Sequence, residues 1–183
     1  MSQVVNSVER WLTSIVIELN LCPFANQEYR SDRVRIKESL AASEEDLLKD
    51  LVVEMSLLKR RPEVETTLLI HPNVLTDFVV FNQYLGFIES VLEAMDLQGV
   101  FQIASFHPDY QFSGTEADDV SNFTNRSPYP ILHILREESL ERAIESHPNT
   151  ENIPVKNIRL MKSLGHEHMT RLLNLCQFDD HVG

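Results

Sequence analysis

The stretch from Val100 to Glu137 constrains this chain more than any other. An apolar, strand-like run ends at His107-Pro108, a long polar segment follows, and a second strand-like run starts at Pro130. The polar segment has neither a helical nor an alternating period. A structureless segment of that length inside a compact domain is uncommon and is usually functional or disordered. This one carries aromatics and the breaks Ser127-Pro128 and Tyr129-Pro130, not the Ser/Glu/Lys/Gln composition of a disordered linker. It reads as an ordered loop that carries the functional site.

The rest of the chain alternates helix and strand. Val4, Val8, Trp11, Leu12, Ile15, Val16 and Leu19 recur at helical spacing until Pro23 stops the ladder. Arg33 to Ser39 alternates, with Val34 and Ile36 on one face and Arg33, Arg35 and Lys37 on the other, as expected of an edge strand. Ser43 caps a helix with Asp46 in capping-box position and an inward stripe of Leu47, Leu48, Leu51, Val52, Met55 and Leu58. Thr66 to Ile70 is a strand. Residues 76–95 form a helix facing inward through Phe78, Phe81, Leu85, Ile88, Leu92 and Met95, with Gly86 read as permitting a close contact. Val100 to Phe106 and Ile131 to Leu135 are further strands, and helices follow over 138–145, 155–164 and 167–176. His147-Pro148-Asn149 reads as a turn, and the tail over 177–183 as loose. This order predicts a single α/β domain over residues 1–183, with a mixed four-stranded sheet and helices packed on it. The last strand follows its predecessor without a helix, so it pairs antiparallel.

Composition removes several functions. With 16 Lys and Arg against 28 Asp and Glu, the net charge of -12 argues against nucleic acid and against anionic membrane surfaces. No apolar run approaches the roughly 18 residues of a membrane span. Two cysteines, Cys22 and Cys176, are too few for a disulfide scaffold, and the expected location is a reducing cytoplasm. Five glycines make no phosphate-cradling loop.

Topology suggests where a site would form. If the strands ending at Ile70 and Phe106 run parallel, His71-Pro72 and His107-Pro108 meet at one rim, outside the carboxyl ends of the strands where open α/β sheets bind ligands. His107 is then the candidate acid or base, supported by Tyr110 and Asp119. Arg126 is the candidate anion anchor, among Asn122, Asn125 and Tyr129, with His71 beside them. The alternative for each histidine is a satisfied turn, with the imidazole bonded to backbone. The alternative for Arg126 is a structural arginine that pins its own loop to Glu116, Asp118 or Asp119. His71, His107 and Asp119 also make a two-His, one-carboxylate set for a metal. Cys22 is a conceivable nucleophile with His107 as base, but it lies past a helix C-terminus, where partial negative charge raises a thiol pKa. Cys176 reads as core.

The strings NLCPFA at 20–25 and FHPDYQF with TNRSPYPILHILRE over 106–137 resemble an uncharacterised bacterial family, a domain of unknown function. The resemblance runs from about Trp11 to Gly165 and leaves out the residues from Glu167 onward. It implies a bacterial cytoplasmic protein and carries no activity, cofactor or substrate with it. Two expectations stand side by side. One is an enzyme acting on a small anionic molecule. The other is a non-catalytic ligand-binding or protein-interaction module in which the 107–129 loop is structural.

Overall fold

The computed structural model describes residues 2–146 and 149–177. The turn expected at His147-Pro148 and most of the expected loose tail, 178–183, lie outside the described residues. Gln177 is not loose: it ends the last helix and donates its side-chain amide to the Pro128 carbonyl at 3.0 Å.

Helix α1 (Gln3–Trp11) continues as a π-helical segment, Leu12–Ile17. There the Thr13 hydroxyl donates to the Glu9 carbonyl and the Ser14 hydroxyl to that of Arg10, so side chains compete for helix acceptors. Helix α2 (Ala25–Arg30) is short and buries none of its residues, so it left no apolar stripe to read. Then come β1 (Val34–Glu38), α3 (Glu44–Arg60), β2 (Thr66–Ile70), α4 (Phe78–Ala94) and β3 (Phe101–Phe106). A 3-10 turn over Val120–Thr124 lies inside the long loop, where the sequence shows no period. Strand β4 (Ile131–Arg136) and helices α5 (Glu137–Ser146), α6 (Ile153–Leu164) and α7 (His166–Gln177) complete the chain.

The sheet order is β1-β2-β4-β3. β1 and β2 are parallel, and β4 runs antiparallel to both β2 and β3. Because β2 and β3 both oppose β4, they point the same way. Ile70 and Phe106 both pair with Ile131, so His71 and His107 do stand at one rim, on either side of the start of β4.

Strand alternation sends neighbours to opposite faces and builds two cores. Leu69, Phe101, Leu132 and Ile134 meet Leu47, Leu51, Met55 and Leu58 of α3 and Phe81, Ile88 and Leu92 of α4. Leu68, Ile70 and Ile131 meet Val8 and Trp11 of α1, the π segment, Met161 of α6 and Met169 of α7. The expected inward stripe of α4 needs correction: Tyr84 is buried, whereas Met95 is 41% exposed. Gly86 permits no close contact either, since a Cβ there would meet no heavy atom within 4 Å.

Two polar devices lock the layers. Glu54 is 3% exposed and accepts from Arg35 Nε at 2.8 Å and Nη2 at 3.1 Å, a bidentate pair beneath β1. The signal for it was in the sequence, because Glu54 falls in the Leu47, Leu51, Leu58 stripe. Arg136 at the end of β4 donates through Nη2 to the carbonyls of Leu58, Arg61 and Val64, which closes the C-terminal end of α3.

Candidate functional site

The 107–129 loop holds itself together from its own side chains. Asn122 is fully buried. Its Oδ1 accepts from the Phe112 amide at 3.0 Å and the Thr115 hydroxyl at 2.9 Å, and its Nδ2 donates to the Glu116 carbonyl at 2.9 Å. Asp119 caps the 3-10 turn by accepting from the amide and hydroxyl of Ser121, and those hydrogen bonds hold its pKa below the usual carboxylate value. Asn125 donates from Nδ2 to the Ser105 carbonyl at 3.2 Å, which ties the loop to the outer edge of β3. The Trp11 indole donates to the Arg126 carbonyl at 2.9 Å and stacks edge-on against Phe106, so α1 pins the same loop from the other side.

His107 sits beneath this loop with no exposed surface. Its Nδ1 accepts the Asp109 amide at 3.0 Å, which places the proton on Nε2, and Nε2 donates to the Leu75 carbonyl at 3.2 Å. Both ring nitrogens are therefore committed to backbone. Burial holds its pKa below the ordinary value, against the opposing pull of the Leu75 carbonyl. His71 is 1% exposed and donates from Nδ1 to the Val74 carbonyl at 2.8 Å. Its Nε2 is buried without a hydrogen-bond partner, and burial holds its pKa down to about 4. The Phe81 ring lies near both imidazoles, at centroid separations of 5.5 Å from His71 and 5.2 Å from His107. The rim thus brings the two histidines together as a buried, neutral aromatic stack.

Tyr110 packs its ring between Phe78 and Phe112. Tyr129 is half-buried against the core on the α1 face, and its carbonyl accepts from the Ser127 hydroxyl. Arg126 lies over the Phe123 ring, 4.7 Å from its centroid. Its Nε donates to the Tyr110 carbonyl at 3.3 Å and its Nη2 to the Ala117 carbonyl at 2.6 Å. The pinning role considered for Arg126 is present, but its acceptors are backbone carbonyls and not Glu116, Asp118 or Asp119. Among the described residues, no carboxylate pairs with it and Nη1 has no partner. Burial works against its charge, and Asp109 supports it.

The set His71, His107 and Asp119 does not gather. Among the described residues, no three His, Cys, Asp or Glu side chains are grouped to hold a metal ion. Cys22 is a free thiol just before α2, and burial pushes its pKa up, partly offset by the amides of Phe24 and Ala25. The sequence carries no sign of this helix start, and its amides act against the negative end of the preceding helix. Burial still prevails. Cys176 is buried, as expected of core.

A family model described as a protein of unknown function (DUF1415) matches residues 3–171. The chain belongs to this family. The match covers the first core, most of the second, the rim and the whole 107–129 loop, and it reaches into α7. No curated protein and no solved structure matches the chain. Membership of DUF1415 brings no activity with it. No described helix is long and apolar enough to cross a membrane.

Proposed function

We propose that the protein is a non-catalytic binding module whose 107–129 loop is scaffold, with Arg126 offering an anchor to a small anionic ligand. One observation carries this reading. Arg126 is a partly buried guanidinium, oriented by two backbone carbonyls and by Phe123, with Nη1 uncommitted and, among the described residues, no salt bridge, its one carboxylate influence being the field of Asp109. A cation held in fixed geometry with spare donors suits a carboxylate or phosphate oxygen pair. Two of the groups that proton transfer would need are occupied. His107 has no open nitrogen, and Asp119 is a turn cap. This supports binding over catalysis. The module works in the bacterial cytoplasm, where its two thiols stay reduced, and its charge of -12 turns it away from nucleic acid and anionic membranes.

The test is a thermal-shift titration with inorganic phosphate and with small mono- and dicarboxylates, on the wild-type chain and on Arg126→Lys. A saturable rise in Tm that Arg126→Lys reduces supports the reading, because lysine keeps the charge and loses the fork. If no anion raises Tm, or if Arg126→Lys responds as wild type does, Arg126 is a loop pin and nothing more.

A further inference from the structure

The two edges of the sheet are finished differently: the long loop ties the β3 edge at Ser105, whereas a groove runs beside β1. Ser39 donates its amide to Ile70 and Arg33 accepts that of Thr66, which sets the parallel register. In that register the backbone groups of residues 33, 35, 37 and 39 face β2. The amides and carbonyls of Val34, Ile36 and Glu38 therefore point away from the sheet, and no backbone partner is found for them among the described residues. At the opposite edge, Asn125 of the long loop binds the Ser105 carbonyl.

A groove of about 820 Å³ runs beside this open edge. Val34 and Ile36 give it an apolar floor, and Val5 and Glu9 of α1, Tyr29 of α2 and Leu40, which is 81% exposed, also line it. The groove holds three carboxylates, Glu9, Asp32 and Glu38, against two cations, Arg30 and Lys37. Asp32 and Glu38 stand at opposite ends of the strand. The remaining cations of this segment are already paired: Arg33 with Glu28 and Glu65, Arg35 with Glu54.

We propose that the open edge of β1 and its groove dock an extended basic peptide segment of a partner protein, added to the sheet as a fifth strand. The unpaired amides and carbonyls supply main-chain hydrogen bonds, as in other strand-addition complexes. The floor takes alternate apolar side chains, because residues of an added strand face the groove every second position. The acidic groove on a chain of charge -12 selects a basic partner and opposes a second copy of itself. Exposed Lys37 on the edge strand works against self-pairing in the same way.

The experiment uses the full 15N-labelled chain and a capped hexapeptide of Lys-Val repeats. Binding should shift the amide resonances of residues 34–40 and slow hydrogen exchange at Val34, Ile36 and Glu38. The same peptide with every second amide N-methylated keeps its side chains and charge but loses its outward donors. It should bind at least about tenfold more weakly. A Glu-Val hexapeptide should bind more weakly by a similar factor. Equal binding by the N-methylated peptide overturns strand addition, and equal binding by the Glu-Val peptide overturns the charge argument. Shifts centred away from residues 34–40, or no binding, overturn the site itself. None of these outcomes depends on Arg126, so this proposal and the anion reading fail separately.

Discussion

The β3 side of the sheet and the β1 side show two ways of ending a sheet. Beyond β3, the 107–129 loop folds over the rim, and its polar side chains turn inward to satisfy the loop's own backbone. Beyond β1, backbone groups are left to face a groove. The residues of the first region look chemical in sequence because they are His, Asn, Asp, Arg and Tyr. In the fold they are mostly internal staples. The second region looks plain in sequence, a short strand with alternating charges, and a groove runs along it. A rich set of functional groups in a loop is therefore not by itself a site. What matters is whether their donors and acceptors are already used.

The comparison breaks first if the loop is not scaffold. Asn122→Ala removes three hydrogen bonds from a fully buried position and leaves their partners unpaired. It should cost about 3 kcal/mol in urea unfolding. A loss under about 1 kcal/mol would show that the loop stands without its staple.

Acid should weaken the same side by a similar amount. The folded-state pKa of His71 lies near 4, below its ordinary 6.5, so the unfolded chain binds the extra proton between those values. The stability from keeping His71 neutral is complete above pH 6.5 and falls by about 3 kcal/mol as pH drops to 4. His133, whose pKa burial also holds down to about 4, and buried His107 add to the slope across that window. Denaturation curves should therefore show the sum, and His71→Gln should remove only the His71 share of about 3 kcal/mol. An unchanged slope in the variant would mean that His71 does not titrate as its burial demands.

The smallest effect belongs to the open edge. Lys37→Ala should change stability by less than about 0.5 kcal/mol, because Lys37 is exposed and makes no hydrogen bond or ion pair among the described residues. A loss above 1 kcal/mol in thermal or urea unfolding would show that the edge is already engaged, and the contrast between the two sides would lose its basis.

Much of the fold was legible because periodicity is a local property. The Leu47, Leu51, Met55 and Leu58 stripe, the Ser43 cap and the alternation of Val34 and Ile36 with charged neighbours each record which face meets the core. The mixed sheet was legible too, since a strand that follows another without a crossover helix returns antiparallel. Helix α2 was not, because it buries nothing and so leaves no period. The two histidines at one rim could be inferred from the strand ends, but their protonation could not. That rests on the Leu75 carbonyl and the Asp109 amide at His107, and on the Val74 carbonyl at His71.

The sequence alone determined the amphipathic elements, the net charge and the edge character of β1, because each follows from residues close in the chain. Only the tertiary structure decided the insertion of β4 between β2 and β3, the backbone acceptors of Arg126 and the openness of the β1 groove. A hydrogen bond has one partner among many of equal chemistry. That choice is made by distance in space, which spacing along the chain does not record.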